Sequence, residues 1–80
     1  MSVINEISAL VQKGDRRGVK TAVETALSEG FTAKEILDDG LIGGMMVIGE
    51  KFKRDEVYVP EVLIAARAMN MGVSVLKPYL

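Results

Sequence analysis

EKFKRDEVYVPEVLIAA, residues 50–66, joins two apolar runs, and its reading decides the fold. Upstream, Leu37, Leu41, Met45, Ile48 and Phe52 recur every three or four residues; downstream, Val62, Ala66, Met69, Val73 and Leu76 do the same. That spacing marks one apolar face of an α-helix. Pro60 suits the first turn of a helix, where its missing amide hydrogen is not needed. The stretch is therefore a connection between two helices, the second starting at Pro60 and stopped by Pro78. A plain helix–helix turn needs only Gly, Asn or Asp. This one carries Phe52, Tyr58, Val59 and Pro60. Either these groups staple the two helices together, or they present an apolar tip to something outside the chain.

Two more helices precede this pair. Val3, Ile7 and Leu10, with Ile4 and Val11 beside them, form the stripe of the first. Gly14 can end it in a left-handed conformation, and Asp15 can cap the next helix. The second helix runs from about Arg16 to Glu29 on Val19, Val23, Ala26 and Leu27, and Gly30 ends it. Gly18 weakens its first turn, which predicts fraying or a close neighbour there. Phe31-Thr32-Ala33-Lys34-Glu35 then reads as a capping box on Thr32 and Glu35, with Phe31 stapled to Ile36. In the third helix, Asp38, Asp39 and Gly40 predict a kink or a break near Gly40. Gly43 and Gly44 predict close approach by another helix. No segment alternates with period two. Short loops between four helices make an all-α, antiparallel four-helix bundle, one domain over residues 1–80.

Composition excludes several classes of function. The net charge is −1, and Lys and Arg are interspersed with Asp and Glu. No basic patch exists to track phosphates, so no nucleic-acid partner is expected. The chain has no Cys and no His, which removes disulfides, thiol chemistry, zinc-finger-type sites and imidazole catalysis. Nothing resembles a calcium loop, and no metal site is expected. The N-terminus lacks a cationic start, and no apolar run approaches membrane-spanning length, so the expectation is a cytoplasmic protein with no membrane partner. Hydrophobic residues reach 49%, high for so small a domain, and some of that surface suits a partner.

Individual residues have ordinary readings too. Phe52 ends an apolar stripe and reads as core or as a contact residue. Val59 and Val62 flank a helix start and suit a staple or a seam. The five Met fall mainly on helical stripes and fill core. Asp38 and Asp39 read as a cap at a helix break. Glu61 favours the dipole of the fourth helix, and Arg67 is solvated or paired. No catalytic residue is expected.

The run from Gly40 to Leu80 resembles the helical cap module of cobalamin-dependent methyltransferase systems, found in methionine synthase and in the small corrinoid proteins of methanol and methylamine metabolism. The resemblance rests on Gly44-Met45, Ile48-Gly49-Glu50-Lys51-Phe52, Tyr58-Val59-Pro60-Glu61, Ala65-Ala66-Arg67-Ala68-Met69 and Leu76-Lys77-Pro78-Tyr79-Leu80. The N-terminal half also looks like the family. The resemblance implies a methionine synthase cap-like four-helix bundle lying over the upper face of cobalamin and shielding a cobalt-bound methyl group. By position it assigns that contact to Phe52, Val59 and Val62. Val59 stands where the family usually has Leu, and Asp55 where the turn commonly has Gly.

The family's cobalamin-binding α/β domain is absent from this chain, and without His the chain cannot supply the lower cobalt ligand. The resemblance thus implies a non-catalytic module whose partners are a cobalamin-binding domain, in cis or in trans, and a methyltransferase subunit. The rival expectation is a stand-alone interaction module that dimerises through the Phe52–Val62 face. Use in a cobalamin-dependent light sensor fits less well, because the chain has neither Trp nor His.

Overall fold

The computed structural model describes residues 2–80 and is helical, with no strand among the described residues. Helix α1 spans Val3–Lys13 and α2 spans Arg16–Ser28. Helix α3 is one rod in three parts: Ala33–Glu35, a π-helical stretch Ile36–Ile42, and Gly43–Lys53. Helix α4 spans Val59–Leu76 and tightens into a 3-10 turn at Lys77–Tyr79.

The helix ends follow local chemistry. Ser2, not foreseen as a cap, accepts from the Asn5 N–H at 3.2 Å. Asp15 Oδ1 accepts from the Gly18 N–H at 2.9 Å. A Cβ on Gly18 would lie 2.6 Å from the other Asp15 oxygen and 2.9 Å from Leu10 Cδ2 of α1, so the close neighbours predicted there are the capping carboxylate and a side chain of the first helix. Thr32 and Glu35 form the full capping box, each accepting from the other's N–H at 3.1 Å. Phe31 packs against the core that contains fully buried Ile36, as a staple requires. Gly14 and Gly30, at φ 74° and 95°, close α1 and α2 in Schellman motifs: Asp15 N–H donates to Leu10 C=O, and Phe31 N–H to Ala26 C=O.

Contacts between glycines and neighbouring helices give the topology. As α3 advances from Gly40 to Gly44, its partners on α1 advance from Ile7 to Ser8 and Val11. Helices α1 and α3 are therefore parallel. Gly72 faces Val19 of α2, and Val75 to Tyr79 share a groove with Glu24 to Ser28, so α2 and α4 are parallel too. With short turns between successive helices, the bundle runs up, down, up, down. Its core is Ile7, Val11, Val19, Val23, Ile36, Leu41, Ile48 and Leu76, closed by Ala22, Ala26, Ala33, Ala65 and Ala68.

Four details depart from the sequence reading. The expected break near Gly40 is absent; α3 continues through a π turn, in which Gly43 N–H donates to Asp38 C=O. Gly40 is buried against Ile7, and that contact keeps the rod continuous where local propensity would interrupt it. Asp38 does not cap a break either; its carboxylate accepts from Lys34 Nζ at 2.6 Å. Of the glycine pair, only Gly44 meets a neighbouring helix; a Cβ on Gly43 would meet nothing closer than Asp38 C=O at 3.7 Å.

Third, α4 starts one residue earlier, and the residues it buries are Ala65, Ala68, Gly72 and Leu76, while Val62, Ala66, Met69 and Val73 are half-buried. Small residues win the interior because α4 lies close to its neighbours: a Cβ on Gly72 would sit 2.6 Å from Leu41 Cδ2. Fourth, Val59–Tyr79 is 21 residues long with mean hydropathy 1.3, enough by length and composition to cross a membrane. Here that helix packs against the other three of the bundle.

Candidate functional site

The corner between α3 and α4 is built by two helix ends and a five-residue turn. At the end of α3, Asp55 stands left-handed at φ 59°, its N–H donates to Phe52 C=O at 3.1 Å, and Glu56 N–H donates to Lys51 C=O at 2.8 Å. This is a third Schellman closure, with Asp in the position that usually holds Gly. At the start of α4, Glu61 Oε1 accepts from Tyr58 N–H at 2.9 Å, half of a capping box. Glu61 therefore does more than complement the helix dipole: it pins the residue that leads into Val59. An Arg54–Glu56 ion pair at 3.4 Å spans the turn but is well exposed, so it contributes little.

The core closes without this corner. Phe52 is 44% exposed, Val59 is 54% exposed, and Tyr58 beside it is freer still. Val62 is different; it is half-buried and packs against the core. Leu41 of α3 lies against Gly72 of α4. Counted back along this antiparallel pair, Ile48 falls level with Ala65, and Phe52 level with Glu61 and Val62. Phe52, Val59 and Val62 thus share one end of the bundle, two as free apolar tips and one as their root. Leu63, one turn after Val59, extends the exposed surface along α4.

Among the described residues no three carboxylates gather to hold a metal. The Lys34 ammonium is held above the usual lysine range by its hydrogen bond to Asp38 and by that carboxylate's charge, but it lies on the first turn of α3, far from the corner. A raised lysine value means the pair is intact at neutral pH and fades only as pH climbs through that value. Two surface grooves lie elsewhere: one of about 400 Å³ between α1 and α2, and one of about 880 Å³ at the opposite end, lined by Phe31, Val75 and Tyr79 among others.

Left-handed Asp55 predicts a stability gain on simplification. Asp55→Gly should stabilise the chain by about 0.5–1 kcal/mol, since Gly occupies this conformation without a Cβ penalty. In a domain of this size that is a rise of roughly 2–8 °C in Tm, read by circular dichroism. A fall in Tm would show that the Asp side chain holds the turn in some other way.

The chain is a closed four-helix bundle with an apolar corner left in solvent. Residues 3–77 match the family model described as the B12 binding domain, and the chain belongs to that family. It is 37% identical over 70 residues to trimethylamine corrinoid protein 1 of Methanosarcina mazei, covering 88% of this chain and 32% of that protein. It is 30% identical over 78 residues to a corrinoid protein of Desulfitobacterium hafniense, covering 98% of this chain and 36% of the relative. The structure of monomethylamine corrinoid protein from Methanosarcina barkeri superposes with a TM-score of 0.91 at 26% identity, over 95% of this chain and 36% of that one. The chain thus spans about a third of the length of these relatives.

Proposed function

We propose that this chain is the cap module of a corrinoid methyl-carrier protein, lying over the upper face of cobalamin held by an α/β domain, in cis or in trans. When bound, cobalamin supplies a cobalt-held methyl group for transfer. The observation that carries the reading is the apolar corner: Phe52 and Val59 stay in solvent although the core is complete without them. Side chains of this kind fit the face of a flat ring. The chain has no His and so would offer cobalt no imidazole ligand. The chain's work is to exclude water and light-driven loss, and the reaction itself belongs to a partner methyltransferase, in the cytoplasm.

The strength of such a cover has to be moderate, because a methyltransferase must displace it. Burying about 100–150 Å² of apolar surface on Phe52, Val59 and Val62 contributes on the order of 3 kcal/mol before ordering costs. That biases a closed state without locking it. The same corner could instead seat a second copy of the chain; a dimer seen in sedimentation that persists when corrinoid protein is added favours that reading.

The test links the chain to a cobalamin-binding α/β domain loaded with methylcobalamin and follows the absorbance change in light. Phe52→Ala should speed methyl loss about three- to tenfold, the loss of roughly 1 kcal/mol of closing contact. Its Tm should fall by less than about 5 °C, because the ring is half-exposed. Equal rates in both proteins would remove Phe52 from the role.

A further inference from the structure

Gly49 has no task in the fold. It lies in the middle of the Gly43–Lys53 segment of α3, exposed, with helical backbone. A Cβ built on it would meet nothing within 4 Å. Gly40, Gly44 and Gly72 are the contrast, since each receives a side chain or backbone of another helix at 3.0 Å or less. Glycine at an exposed helical position weakens a helix relative to Ala. A chain that needed only this bundle would gain by replacing it.

The neighbours of Gly49 show where the opening leads. Phe52 is one turn on, at i+3, and so adjacent on the helix surface. Met46 and Ile42 precede Gly49 on the same strip, and Met46 is 67% exposed. The notch therefore continues the apolar corner along α3, flat where a side chain would otherwise stand.

The geometry points to Gly49 as a contact residue of the same cobalamin-facing surface: its missing side chain lets the edge of the corrin ring come against the α3 backbone beside Phe52. This rests on the cap reading above and adds a residue, and a shape requirement, to it. A bulkier residue would hold the ring off and leave the cover ajar.

The two requirements separate under substitution. Gly49→Ala should raise Tm by about 2–6 °C. Gly49→Leu should fold at least as stably as the unmodified chain, yet speed photolytic methyl loss at least threefold in the protein linked to a methylcobalamin-loaded α/β domain. Glu50→Leu, which adds the same side chain one residue away from the notch, should leave the rate unchanged. If Gly49→Leu protects as well as the parent while Phe52→Ala does not, the notch is no contact and the cap reading stands. If neither substitution changes the rate, both fall. If Gly49→Leu instead dissolves a dimer of the free chain without affecting methyl loss, the notch seats a second copy and the corrin assignment is overturned.

Discussion

Gly44→Val should come close to unfolding this domain. A Cβ at Gly44 would lie 2.8 Å from the Ser8 carbonyl oxygen and 2.9 Å from Val11 Cβ. Neither can step aside: one is helix backbone, the other the first atom of a fully buried side chain. Relief requires α1 and α3 to separate, which uncovers Ile7 and Val11. Overpacking of this kind costs about 3 kcal/mol or more, while an 80-residue domain has only roughly 4–12 kcal/mol in total. The expected result is a Tm at least about 10 °C lower by circular dichroism. Gly43→Ala is the matched control, since its Cβ would find only the Asp38 carbonyl at 3.7 Å. It should be neutral or slightly stabilising. A Gly44→Val protein melting within about 3 °C of the parent would show that α1 and α3 are not packed as described.

The second large effect lies at Leu41 and Gly72. Leu41 is fully buried, and both its methyl groups fall within 2.9 Å of where a Gly72 Cβ would be; Val19 Cγ1 is 3.0 Å away. Leu41→Ala leaves a cavity between α2, α3 and α4 and should cost about 2–5 kcal/mol. Gly72→Ala pushes a methyl group into that leucine and should cost about 1–3 kcal/mol. Made together, the new methyl enters the vacated space, so the double variant should lose at least about 1 kcal/mol less than the two singles added. Urea midpoints of the four proteins measure this. Additive losses would mean that the two positions do not touch.

These two sites also mark where the sequence was legible. Helix number, three of the four N-terminal ends and the Gly14 and Gly30 stops follow from residues a few positions apart, and local chemistry decides them: Asp15, Thr32 and Glu35 make the hydrogen bonds their types and spacing require. At the corner the sequence showed only that Phe52, Tyr58 and Val59 are larger than a turn needs; it left a staple and a free tip as alternatives, and the structure leaves all three exposed.

The interior of α4 was not readable from spacing. Counting apolar size favours Val62, Met69 and Val73, but the distance between helices favours Ala65, Ala68 and Gly72, and that distance is a property of the whole bundle. The π stretch was hidden for a related reason. Asp38, Asp39 and Gly40 are poor helix formers taken alone, and only the contact with Ile7 across the bundle explains why the rod persists. The roles of Phe52, Val59 and Val62 came from resemblance to a family. The structure adds that the first two are free and the third is half-committed to the core.

The π stretch Ile36–Ile42 acts on the far end of its own rod. A loop of chain closed five residues back instead of four carries one residue more, and each residue turns an α-helix by about 100°. Everything beyond it, from Gly44 to Phe52, is rotated by that phase. The compass bearing of the aromatic tip is thus set three turns and more upstream, by a defect in winding. Lose one residue there and the helix becomes regular, but the aromatic swings off the corner and Gly44 turns away from the groove of α1. Regularity and aim are alternatives in this rod, and the chain has kept its aim.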